Sequence, residues 1–126
     1  MSIHESGENY LEQILILSKQ KQKIRATDLC TALGFSRPTV SVMLRELRTE
    51  GFVATADNGG LVLTEKGEAV AKRMYERHCI IAETLMVLGV SRENALADAC
   101  KIEHDISEET FARLRDHLQL HKNELN

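Results

Sequence analysis

Residues 26–50, ATDLCTALGFSRPTVSVMLRELRTE, decide the fold. Leu29, Ala32 and Leu33 form the apolar face of a short helix that begins at Ala26 or Thr27. Gly34 supplies a natural C-cap for it. Ser36 then serves as an N-cap, and Pro38 falls in the first turn of the next helix, where its missing N–H costs nothing. Val40, Met43, Leu44 and Leu47 recur at helical spacing as far as about Glu50, and Gly51 ends the run. Two short helices joined by a tight glycine-containing turn form a helix-turn-helix unit. The second helix of such a unit lays its N-terminal side chains at base edges in a major groove.

The flanks extend this pattern. Upstream, Leu11, Ile14, Leu15, Ile16 and Leu17 give Glu8 to Lys21 the spacing of an amphipathic helix. Downstream, Phe52 to Ala56 and Leu61 to Leu63 are β-prone, and Asp57-Asn58-Gly59-Gly60 lies between them. Asn-Gly supplies the positive φ angles of a tight hairpin, so this segment predicts a wing. Thr64 caps a long helix to about Leu88, with Val70, Met74, Ile81, Leu85 and Leu88 on one side, and Gly89 breaks it. Ser91 starts a helix to about Asp105, and Ser107 starts a last one toward His117, leaving Lys122 to Asn126 frayed. The expected fold is mainly α: an N-terminal winged helix-turn-helix with a small β-hairpin wing, then a helical region.

Composition sets bounds on function. The 126 residues are 43% hydrophobic and 28% charged, as in an ordinary globular chain. No apolar run approaches the roughly 18 residues of a membrane span. Met1 to Tyr10 is polar and acidic, unlike a signal peptide, which predicts a soluble cytoplasmic protein without membrane partners. Cys30, Cys79 and Cys100 are odd in number and widely spaced, which argues against a disulfide framework. Each could be core packing, a redox group or a metal ligand.

The net charge of −3 looks adverse to nucleic-acid binding, but the charge is unevenly spread. Lys19 to Arg48 holds seven basic residues (Lys19, Lys21, Lys23, Arg25, Arg37, Arg45, Arg48) against two acidic ones (Asp28, Glu46). From Leu61 onward there are nine basic and twelve acidic residues. The first half offers a positive surface, and the acidic groups concentrate in the second. The DNA-reading candidates are Ser36, Arg37, Pro38, Thr39, Ser41, Val42 and Arg48. Arg37 can reach guanine or phosphate, and Pro38, Thr39 and Val42 can offer apolar contact to thymine methyls. Ser36, Thr39, Ser41 and Arg48 suit phosphates. One such module reads too few base pairs for operator-level specificity, so a homodimer on double-stranded operator DNA is expected.

Cys100-Lys101-Ile102-Glu103-His104 carries the other chemistry. On a helix, positions i, i+3 and i+4 share a face, so Cys100, Glu103 and His104 can bring a thiolate, a carboxylate and an imidazole together. Thiolate favours softer metals and carboxylate harder ones. Further candidates are His78, within the long helix, and Asn9 with Glu12, at i and i+3 on the first. Taken singly, each reads as well as ordinary surface or packing. No HExxH pattern is present to support a zinc protease.

Six segments together resemble the diphtheria-toxin-repressor and manganese-transport-regulator family of metal-dependent repressors. They are Glu8 to Ile14, Ser36 to Ser41, Leu61 to Gly67, Tyr75 to His78, Leu88 to Val90 and Cys100 to His104. The resemblance spans about residues 6 to 118. It implies a DNA-binding domain over 1–64 and a helical metal-binding and dimerisation domain over 65–126, in the short form without an SH3-like third domain. It implies metal ligation by His78, Glu103 and His104, with Glu12 as in manganese-type members. Cys100 stands as in iron-type members. Asn9 departs from the family's aspartate or methionine and offers only a neutral amide oxygen. Ala82 and Leu96 stand where the iron-type ancillary site would have ligands.

The resulting expectation is a repressor, not an enzyme, that binds operator DNA as a dimer when loaded with a divalent transition metal. Iron(II) is favoured by Cys100, manganese(II) comes next, and zinc(II) is a third option. Metal would tie the first helix to the helices bearing the other ligands and fix the spacing of the two reading heads. Two alternatives stay open. One is a redox-responsive winged-helix regulator using Cys79 and Cys100, with His78 lowering the Cys79 pKa. The other is a winged-helix protein-interaction module.

Overall fold

A computed structural model describes residues 5–125. The chain is mainly α, with one two-stranded hairpin: α1 (Glu5–Ser18), α2 (Ala26–Leu33), α3 (Arg37–Thr49), β1 (Val53–Thr55), β2 (Leu61–Leu63), α4 (Glu65–Val87), α5 (Arg92–Ile102) and α6 (Glu108–Leu125). Its contacts form two compact units that divide within α4, at Arg73 and Met74.

In the first unit, α1 packs on α2 and β2, α2 on α3, and α3 on β1. Tyr10, Leu11, Ile14, Leu29, Val40, Leu44 and Phe52 fill its core. The helix-turn-helix forms where the punctuation residues place it. Gly34 takes the left-handed conformation (φ 74°), and its N–H donates to the Cys30 carbonyl. The Ser36 hydroxyl accepts from Thr39 N–H, at the start of α3. Phe35, in the turn, stacks on the buried Tyr10 ring of α1 at 6.1 Å between centroids.

The hairpin is antiparallel, with Val53 opposite Leu63 and Thr55 opposite Leu61. Its turn differs from the expected Asn-Gly type. Ala56 N–H donates to Gly60 O, and among the non-glycine residues described none has positive φ, so Asn58 does not take the left-handed form. The Asn58 side chain acts instead, accepting from Gly60 N–H at 2.8 Å and donating to Gln22 O at 3.2 Å. The wing tip is thereby tied to the chain before α2, as is Leu61, whose N–H reaches Ile24 O. Thr64 Oγ1 donates to Gly51 O and accepts from Gly67 N–H, capping α4. A Cβ on Gly67 would sit 2.0 Å from Phe52 O, so only glycine lets α4 approach the hairpin this closely.

In the second unit, Ile81, Ala82 and Ala99 form a buried cluster joined by Leu85, Met86, Leu96, Ile102, Ile106 and Leu114. Ala82 and Leu96, at the ancillary ligand positions of the resemblance, are thus apolar packing. Several expected boundaries move. The first helix already includes Glu5 and stops at Ser18, whose hydroxyl donates to Leu15 O and competes with the backbone ladder. Leu88 lies past the end of α4 and is 75% exposed, not part of its apolar side. The fifth helix ends at Ile102, not Asp105. The sixth runs past His117 to Leu125, through residues 122–125 that the sequence predicts to fray, held by buried Leu118 and a 2.9 Å Lys122–Glu83 ion pair. Asn126 lies outside the described residues.

Candidate metal centre and DNA-reading face

Two elements of the second unit, α4 and α5 with its C-cap, bring three side chains together. His78 projects from α4, Cys100 from the last turn of α5, and Glu103 from the C-cap of α5. His78 Nδ1 lies 3.1 Å from Glu103 Oε2 and 3.7 Å from Cys100 Sγ. The other carboxylate oxygen of Glu103 lies 3.3 Å from His104 Nε2. Glu103 is fully buried and the His104 side chain nearly so, whereas Cys100 is exposed. Helical spacing predicts Cys100, Glu103 and His104 on one face; in the structure Glu103, still αR, is the C-cap of α5 and His104 lies in the turn that follows. His78, from another helix, is what unites them.

A buried carboxylate between two imidazoles, with a thiol at the rim, is a set of donors that could hold a cation. The Cys100 sulfur and the Glu103 carboxylate push the His78 pKa up to about 10, against the opposing effect of burial. Nitrogen, oxygen and sulfur donors of this kind fit a first-row divalent metal. Asn9 and Glu12 lie on α1 in the first unit, Asn9 half-buried and Glu12 buried. All three cysteines are free, and none is fully buried. His78 lies beside Cys100, one of the two thiols of the redox alternative.

The DNA-reading candidates share one surface of the first unit. Ser36, Arg37, Pro38, Thr39, Ser41, Val42 and Arg48 are all exposed, while Val40, Leu44 and Leu47 turn inward. Val42 is 52% exposed, an apolar group in water that a thymine methyl could cover. A groove of about 430 Å³ between α3 and the hairpin carries Lys23, Arg25, Arg37, Arg48 and Ser41, with no acidic residue on its wall. Lys23 and Arg25 were counted in the basic stretch of the sequence but not assigned to the reading face. Their position depends on the wing folding back on the segment before α2, which local patterns do not reveal.

Comparison with known families now bears on both features. Residues 2–61 match the iron-dependent-repressor N-terminal DNA-binding domain, and residues 64–123 match the iron-dependent-repressor metal-binding and dimerisation domain. The chain belongs to the iron-dependent repressor family. It is 40% identical over 114 residues to the transcriptional regulator MntR of Escherichia coli O6:H1, covering 90% of this chain and 74% of that protein. It is 35% identical over 114 residues to the HTH-type transcriptional regulator MntR of Geobacillus kaustophilus, covering 90% of this chain and 81% of that protein. The structure of the manganese regulator SloR superposes with a TM-score of 0.81 at 30% identity, over 94% of this chain. The present chain spans 55% of the SloR chain. These relatives are regulators rather than enzymes, and the fold of this family member is the winged helix-turn-helix followed by helices that its sequence predicts. Among the described residues, no helix is long and apolar enough to cross a membrane.

Proposed function

We propose that this protein is a cytoplasmic, metal-dependent transcriptional repressor that binds operator DNA as a homodimer when a divalent metal is loaded, and so controls metal homeostasis. The observation that carries the reading is the Glu103 carboxylate, fully buried between His78 and His104 in a chain whose α3 presents an exposed, basic reading face. The proposed ligands are His78, Glu103, His104 and Cys100. Glu12, with Asn9 as a weaker neutral donor, is added from α1 on the strength of the family resemblance. The proposed DNA contacts are Ser36, Arg37, Pro38, Thr39, Ser41, Val42 and Arg48. The functional division is proposed at 64/65.

Bound metal supplies positive charge and a fixed point of attachment for ligands from different helices. The protein's own groups do the rest. Glu103 orients both imidazoles, and on the family resemblance Glu12 would add a carboxylate from α1. With the donors of both domains held together, the two reading heads of a dimer would adopt fewer spacings, near one DNA turn. The fully buried donors are nitrogen and oxygen, and SloR is a manganese regulator, which favours manganese(II). The Cys100 thiol at the rim favours iron(II), with zinc(II) the competitor that availability must exclude.

An anaerobic cobalt(II) titration, with Cys100→Ser as control, tests this reading without knowledge of the operator. A sulfur-to-metal charge-transfer band that vanishes in the variant makes Cys100 a ligand and iron(II) the preferred ion. Saturable binding with no such band makes Cys100 a bystander and manganese(II) the preferred ion. No saturable binding overturns the metal reading.

A further inference from the structure

Next to His78 lies an arginine in an unusual setting. Arg77 is only 5% exposed, although a guanidinium strongly prefers water. Its Nη1 carries two hydrogens, and both are used: one goes to the Glu103 carbonyl and one to the Ile106 carbonyl, each at 3.0 Å. Its Nη2 donates to a Glu108 carboxylate oxygen at the start of α6. One face of the group lies 5.4 Å from the centroid of the buried Phe111 ring. Its Nε has no acceptor among the described residues.

A charged group placed this way is a poor investment in stability alone. Burial strips its hydration, and one donor remains unsatisfied. Its three bonds have one thing in common: every acceptor lies between Glu103 and Glu108. That segment is where α5 ends and its backbone carbonyls lose helical partners, and it carries Glu103 and His104. Arg77 therefore fastens the ligand-bearing turn to α4 at the position adjoining His78. We infer that Arg77 is a positioning residue of the metal centre: by holding the Glu103 and Ile106 carbonyls, it sets where the Glu103 carboxylate meets the His78 and His104 rings. The inference rests on the metal-sensor reading above and adds to it a group that touches no metal.

Outer groups that orient ligands typically change metal affinity by about 10–100-fold. The test is cobalt(II) binding by full-length Arg77→Gln and Arg77→Lys, with visible spectra at saturation and metal-free thermal melts. Arg115→Gln is the control, since Arg115 also lies near the Phe111 ring but pairs only with exposed carboxylates. Arg77→Gln should bind about 10–100-fold more weakly and shift the visible bands even when saturated. Arg77→Lys keeps the charge and a nitrogen able to donate to both carbonyls, but loses the planar second nitrogen that reaches Glu108, and should recover part of the affinity. Arg115→Gln should match wild type. A folded Arg77→Gln with wild-type affinity and spectrum overturns the inference. Should neither Arg77 variant fold, nitrogen-15 NMR of the wild-type guanidinium during zinc(II) titration decides. An Arg77 resonance that is protected from exchange and shifts with metal supports the role, and one that does not respond overturns it. Failure of wild type to bind metal would instead overturn the parent reading.

Discussion

Arg37 and Arg48 point into the same groove but have different tasks in the account. Arg37, at the first position of α3, is placed to read a base edge, and Arg48, three turns on, to hold a phosphate. Arg37→Ala should weaken specific DNA binding by about 1–3 kcal/mol and relax sequence preference at one position. Arg48→Ala should weaken all sequences about equally and lower the salt slope by about one. Affinities for a selected duplex and its single-base variants, taken over a salt series, check both. Identical salt slopes and identical preferences in the two variants would contradict the assignment. At this scale the sequence was partly readable. Cys100, Glu103 and His104 stand close together in the chain, and their donor types mark them as a candidate site. Arg77 carries no such mark, because its role comes from carbonyls 26 and 29 residues away, released where α5 stops.

Helix ends and close approaches govern the elements. Gly67 packs so tightly against Phe52 O that a methyl group has no space, and backbone is the obstacle. Gly67→Ala should therefore destabilise the first unit by about 1–3 kcal/mol, despite the better helix propensity of alanine. Urea unfolding measures it, and a variant as stable as wild type would show that α4 and the hairpin approach less closely than described. Asp28 makes the second case. The Lys21 ammonium and the Arg25 N–H both bond its carboxylate and hold its pKa below the usual range. A depressed folded pKa gives stability that is fully present above the unfolded value, about 3.9, and lost as pH falls through the lower folded value. Asp28→Asn should thus be less stable than wild type at neutral pH and converge on it in acid. Melting curves over that range check the sign, and a gap that widens in acid would contradict it. The helix-turn-helix was legible because Gly34, Ser36 and Pro38 each have a local reason for their positions. The ends of α5 and α6 were not, since what extends or stops them is tertiary: Leu118 finds a core and Lys122 finds Glu83. The Asn58 turn was misread for the same reason, its side chain being claimed by Gln22 O across the unit.

For the whole molecule, the account joins two chemistries on one chain, a basic reading face in the first unit and a buried carboxylate–imidazole centre in the second. The fold class followed from periodicity and turn residues, and membership of the iron-dependent repressor family agrees with it. The convergence on His78 was legible only through the family resemblance, because no local pattern says which helix meets the turn after α5. The central claim is that metal and DNA are linked. Linkage of this kind is usually about 1–3 kcal/mol, or about 5–150-fold in affinity. The most direct measurement is the affinity of the wild-type protein for a duplex recovered by selection with manganese(II)-loaded protein, taken with manganese(II) and again with excess chelator at fixed salt. The account predicts tighter binding with metal by a factor in that range, and loss of the difference in Glu103→Gln. Equal affinity with metal and with chelator would contradict it.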